Sequence, residues 1–347
     1  MAFRIFPNYS KEGPGLYEDD FNKGPVTRFF QVFLRKFWKL ITNNLMFVIS
    51  NIPMLLLSFM ITFWFFGAMG FTPESFADAF RQTGIEQNVE AVQTSEEGEP
   101  ELTVDEELAA MGATYHLIFT ICGACLLTGL CLVCLGPAQT GLTYLYRNYT
   151  REIATFTWSD FKDSFKMNFK DSLKIMFINI AVTMILLVNI LFYHHNSRVD
   201  DGIFPTIATV FFTVLLVLFS GINIFVYPMI ASLELKVKHV YKNAVLFFIF
   251  RFFHSIGIYL LNLLILLGIP LVMLFWGGMI GVMLMFAYYV FIAFSLTHYL
   301  NTFFAWQQID RYIVNRKDGD GKKAEDAEED YEEDELDVVG DAEPSRA

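Results

Sequence analysis

Apolar residues in this chain gather in six long runs, near 41–66, 113–135, 174–193, 204–231, 252–275 and 279–304. A barrel strand would alternate apolar and polar positions over about ten residues; these runs are continuous. Their lengths match the roughly 20 residues a helix needs to cross the hydrocarbon of a bilayer. Backbone groups there must be satisfied within the segment, so the runs predict helices. The pattern therefore gives an all-α polytopic membrane protein with six transmembrane helices. Pro53 falls inside the first run and predicts a kink, because its ring removes one backbone bond and crowds the preceding turn. Trp276-Gly277-Gly278 predicts a tight hairpin between the last two runs.

Other segments carry a helical period with one polar face. Residues 28–40 mix Phe and Trp with Arg and Lys and read as an interfacial helix entering the first span. Within 156–173, Trp158, Phe161, Phe165, Phe169 and Leu173 form one stripe at three- and four-residue spacing. Lys162, Lys166, Lys170 and Lys174 follow one flank; Asp160, Asp163 and Asp171 take the other. The stripe predicts an amphipathic helix on the inner face, its rings against the bilayer with lysines reaching headgroups, or packed on the protein's own loops. Thr103 and Glu106 are spaced to cap a short helix over Thr103–Met111, and Gln93 to Pro100 reads as disordered. Pro137 and Pro228, each followed by a basic aromatic segment, raise the possibility of a repeated two-span unit. The organisation is then a cytoplasmic N-terminal segment over 1–40, a membrane domain over 41–305 and a cytoplasmic tail over 306–347.

Charge orients this arrangement. The net charge of the 347 residues is −12, yet the acids are concentrated. Residues 318–347 hold 14 acids and 3 bases, and residues 68–112 hold 11 acids and one base, Arg81. Removing both leaves a body of net +9. Of 25 basic residues, Arg81 and Arg198 alone fall in the connections that read as external. Short basic connections stay inside, so both termini are expected to be cytoplasmic in a cell membrane. The 325–337 run is too acidic to bury a core and reads as a disordered tail. No cleavable leader is expected ahead of the first run, which is too long for the apolar core of one.

The candidate chemistry is sparse. Cys122, Cys125, Cys131 and Cys134 have paired C-x-x-C spacing that elsewhere marks zinc. On one helix the outermost two stand about 18 Å apart and cannot share an ion; small apolar packing residues are the expectation, with no metal and no cofactor. No Asp, Glu, Lys or Arg is central in any run, which counts against ion-coupled transport. Asn179, Asn189, Asn223 and Asn262 are the polar interruptions and are expected to bond between helices. Two groupings form if the hairpins pack closely. Glu234, Arg251, His254, His298 and Asn301 would meet at the inner mouth, with Glu234 pairing with Arg251 or each group reaching headgroups alone. His116, His194, His195, Asp200 and Asp201 would meet outside. Phosphate-loop, hydrolase and dinucleotide motifs are absent from the sequence, so neither enzyme chemistry nor nucleic-acid binding is expected.

Glu12-Gly13-Pro14-Gly15, FLRKFWKLI at 33–41, the Pro53 region, GPAQTGLTYLYRNYTRE at 136–152 and FTWSDFKDSFKMNFKDSLK at 156–174 resemble the YesL-like family. These are bacterial multi-pass membrane proteins of unknown function, often encoded beside carbohydrate-uptake systems. The resemblance spans most of 10–310; the acidic 68–112 segment and the acidic tail depart from it. It implies a non-enzymatic accessory or regulatory protein linked to carbohydrate uptake, with a sugar-transporter subunit as its expected partner. Its expected contact surface for lipid or partner is Trp158, Phe161, Lys162, Phe165, Lys166, Phe169 and Lys170. The alternative is a solute transporter or permease, with Pro53, Pro137, Pro228 and Pro270 marking kinked helices around a pathway. A sealed bundle favours the first reading; a midplane cavity lined by Asn179, Asn223 or Asn262 favours the second.

Overall fold

The computed structural model describes residues 24–82, 104–199, 203–233 and 235–314, and regular structure among them is helical throughout. Glu234, Asp200, Asp201, the 93–100 stretch and the acidic tail lie outside the described residues. Five helices are long and apolar enough to cross a membrane, and well over half of each apolar window faces outward. An outward apolar surface of that extent needs lipid rather than water around it.

Helix α1, Pro25–Met69, opens on a proline at its first turn, where the missing N–H costs nothing. The expected interfacial helix and first span are thus one element. It runs on through Pro53 and is about 67 Å long at 1.5 Å per residue. Helix α2, Pro73–Gln82, caps the acidic end. It lies on α3, Val104–Gly129, through Phe76 stacked on Phe119 at 5.5 Å and Phe80 against Tyr115 at 5.0 Å. Arg81 binds Asp78 at 2.9 Å and Asp105 at 2.6 Å, and these hydrogen bonds, Asp105 first, raise its guanidinium pKa. The short helix expected near 103–111 is not separate: α3 runs continuously from residue 104.

The expected second span, 113–135, is corrected. It ends at Gly129, turns through 130–135, and restarts as α4, Gly136–Thr150. Two local causes stop it. Cys131 adopts φ 59°, closing the helix in the left-handed region. Pro137 has no N–H to donate, and its ring would strike the carbonyl four residues back; it serves the first turn of α4 instead. Across the break, α3 and α4 run antiparallel beside α1. Ser58 meets Thr128, Asn51 meets Leu135, Asn43 meets Tyr149, and Arg35 meets Glu152. Gly136 is obligatory here, since a Cβ would lie 2.1 Å from the Ser172 carbonyl oxygen.

The amphipathic segment is also corrected. Helix α5, Thr157–Met167, stops at Asn168, and α6, Phe169–Val199, begins after it. Helix α7, Ile203–Ser232, returns against α6, with Tyr193 stacked on Phe212 at 5.5 Å. Helix α8, Val237–Phe250, ends at an elbow on Arg251. Beyond it come α9, Phe252–Leu263, a π-turn at Leu264–Gly268, and α10, Ile269–Tyr288. A second π-turn at Tyr289–Ala293, α11, Phe294–Ile309, and a last π-turn at Asp310–Val314 complete the described chain. This stretch is a hairpin. Gly278 has φ 51° and ψ −137°, a turn conformation closed to other residues. The limbs meet where Tyr288 donates to the Ile265 carbonyl at 3.1 Å and Asn262 to Asn301 Oδ1 at 2.6 Å. One core joins α1, α3, α4 and α11 around Phe47, Tyr146, Phe294 and Tyr299. A second joins α7, α8 and α11 around Phe225, Tyr227, Phe248 and Trp306.

Candidate functional site

Helix α4 carries Gln139, Thr140, Thr143, Asn148 and Thr150, yet every residue in it is buried except Tyr144 and Arg147. A polar helix inside an apolar fold must find partners, because an unpaired buried amide costs about 1–3 kcal/mol. Its threonine hydroxyls donate to carbonyls one turn back, and Thr140 also meets Ser172 at 2.7 Å. Tyr146 meets Ser295 at 3.0 Å. At the break, Asn51 Oδ1 accepts from the Leu135 N–H at 2.6 Å, and Asn179 Nδ2 donates to the Cys131 carbonyl at 3.0 Å. Tyr241 donates to Asn179 Oδ1 at 2.8 Å. Gln139 donates to His298 Nδ1 at 3.1 Å, with Cys131 Sγ 3.7 Å from the same nitrogen. The break is therefore clamped by α1, α6, α8 and α11.

At the C-terminal end of α4 lies a basic, aromatic cluster. Arg147 donates to the Ala231 carbonyl at the end of α7, at 3.0 Å, and faces the Tyr144 ring at 4.6 Å. Trp306 lies between Arg147 and Arg151, 5.7 and 5.3 Å from its ring. Burial lowers the Arg147 pKa from its ordinary value. A cleft of about 520 Å³ opens here, lined by Arg147, Asn168, Asp171, Ser232 and Lys236 among others. Nearby, Arg35 pairs with Glu152, which adopts φ 59° at the end of α4.

The residues singled out from the sequence divide unevenly. The rings of Trp158, Phe161, Phe165 and Phe169 form a continuous ladder across the α5–α6 elbow, 5.7–6.0 Å apart. Phe161 is buried against Gly141 of α4, whereas Trp158 is 68% exposed. Lys162, Lys166 and Lys170 are exposed. Of the inner-mouth group, Arg251 and His254 line one crevice. His298 is buried beside Gln139, and Asn301 is held by Asn262. Asn179 and Asn262 bond between helices, while Asn189 and Asn223 bond back to their own helix. All four cysteines are buried, and two of them, Cys131 and Cys134, lie in the break rather than on the expected single helix. Among the described residues, no group of three His, Cys, Asp or Glu side chains is placed to hold a metal ion. On the acidic side His116 sits between the rings of Phe63 and Phe76.

This geometry coincides with a family signature. Residues 109–190 match the model of a protein of unknown function, DUF624. YesL-like families carry this domain. The match begins in α3, contains the break, α4 and α5, and ends within α6. No curated protein and no solved structure gave a match to the chain. Sequence reading missed the clamp residues Asn51 and Gln139 and the Arg147–Trp306–Arg151 stack. The available signal was Gln139, Thr140, Thr143 and Asn148 following Gly136-Pro137, a polar helix set directly against an apolar run.

Proposed function

We propose a bacterial YesL-like protein of the cell membrane, with six crossings and both termini on the cytoplasmic side. The hairpin at Gly278 supports the sixth crossing, since each limb exceeds the roughly 20 residues a crossing takes. In this reading the protein performs no chemistry of its own. It is an accessory or regulatory subunit whose basic, aromatic inner face engages a transporter subunit of carbohydrate uptake. The observation that carries the reading is the fate of the intramembrane amides: Asn179 and Asn262 bond to other helices and Asn223 to its own, and all three are buried. Trp158, Lys162, Lys166 and Lys170 are exposed at the elbow and free to make contacts outside the chain. The test is purification from native membrane of the full chain and of a Lys162→Glu/Lys166→Glu/Lys170→Glu variant. The original should bring a sugar-transporter subunit with it and the variant should lose it. Retention by the variant, or no such subunit with either chain, overturns the proposal.

One observation favours the transporter alternative. Discontinuous helices with paired polar backbone recur at transport sites, and the 130–135 break has that form. Solute uptake by proteoliposomes holding this chain alone would establish that reading.

A further inference from the structure

The open end of the last hairpin carries two guanidinium groups between two apolar crevices. Arg251 forms the elbow between α8 and α9, just before the apolar stretch starts, and Arg311 follows α11, where that stretch ends. The limbs keep one register down to this level: Asn262–Asn301 and Arg251–Tyr312 are separated by the same number of residues on each limb. Arg251 Nη2 donates to Tyr312 Oη at 3.2 Å, which fixes one of its five N–H groups and leaves others to donate. Among the described residues, neither arginine has a carboxylate within ion-pair distance.

Both arginines line both crevices. One, of about 770 Å³, is walled by Leu246, Phe247, Phe250 and Ile313. The other, of about 470 Å³, is walled by Phe30, Ile258, Leu261 and Phe303, with Gln308 at its edge. The surrounding surface stays apolar: Phe250 is 75% and Phe253 85% exposed. Gln308 Oε1 is buried and has no hydrogen-bond partner among the described residues.

We propose that this is a specific site for an anionic phospholipid, its phosphate held by Arg251 and Arg311 and one acyl chain in each crevice. The inference rests on the membrane reading but not on the accessory role. The arginines stand where an apolar hairpin ends, the level at which a bilayer presents phosphate. Guanidinium matches that group by charge and by its fork of donors. Gln308 Oε1, an acceptor without a donor, suits the hydroxyls of a glycerol headgroup.

Native mass spectrometry of the full chain in detergent tests this, with phosphatidylglycerol or phosphatidylcholine added. The chain should retain phosphatidylglycerol in preference. Arg251→Gln/Arg311→Gln should weaken retention roughly thirtyfold, while Arg198→Gln/Lys238→Gln, at two exposed basic positions outside both crevices, should leave it unchanged. If the double variant does not fold, Arg311→Gln alone must still weaken retention. Equal binding of both lipids, or retention unaffected by the arginine changes, overturns the site. Displacement by millimolar inorganic phosphate would assign it to the free anion instead. A dimer that the arginine changes dissociate, without lipid retention, would assign the surface to a second copy of the chain.

Discussion

Asn179 ties the helix break to α8: its Nδ2 donates to the Cys131 carbonyl and its Oδ1 accepts from Tyr241. Replacing it with Leu keeps the branched shape but takes the amide donor from the buried Cys131 carbonyl and the acceptor from the part-buried Tyr241 hydroxyl. Asn179→Leu should lower stability by about 1–3 kcal/mol, read as a fall in the melting midpoint of the detergent-purified protein; an unchanged midpoint would remove the clamp from the account. The amide was visible in the sequence as a polar interruption, and its bond to another helix follows from the cost of burying it alone. Its partner was not visible. Cys131 offers its carbonyl only because the chain leaves the helix there at φ 59°, a backbone state normally given to glycine and one that side-chain type did not announce. Asn223 had the same sequence context as Asn179 and bonds within its own turn. The choice between the two depends on what the neighbouring helix exposes.

At the scale of elements, the apolar runs located the spans well where hydropathy alone sets the boundary, as in α6 and α7. They failed where a helix is buried by protein. The 113–135 run continues in hydropathy past Gly129, but Pro137 and the αL cysteine end it. Helix α4 reads as a cytoplasmic connection because it is polar, although its neighbours cover it almost completely. The 156–173 stripe has an unbroken period in sequence, and its rings do form one ladder, but the backbone bends at Asn168 beneath them. Close approach of α4 and α6 depends on Gly136. Gly136→Ala would force a Cβ against the Ser172 carbonyl oxygen, so the helices must part or the chain must bend. The substitution should cost about 1–3 kcal/mol and broaden or lower the unfolding transition, whereas Gly257→Ala, where the added Cβ meets nothing within 4 Å, should leave it in place.

For the whole molecule, the charge asymmetry makes a topological prediction that native cysteines will not obscure, since all four are buried. Ala79→Cys in α2 should react with a membrane-impermeant maleimide in intact cells. Asp163→Cys in α5 should react only after permeabilisation; the reverse pattern would invert the orientation. Both positions are exposed, so accessibility to the reagent reports the side of the membrane. The placement of α4 also constrains how the protein can be assembled. Its polar residues emerge before α6, α7 and α11 have been made, yet those helices, with α1, supply its cover. During synthesis a helix of this composition has no stable place among lipid tails. It must wait at the water boundary, or with the insertion machinery, until the last hairpin arrives. The two ends of the described chain, α1 and α11, are then joined to each other across it through Asn44 and Ser295. Formation of the native centre is thus a late step that requires nearly the full chain.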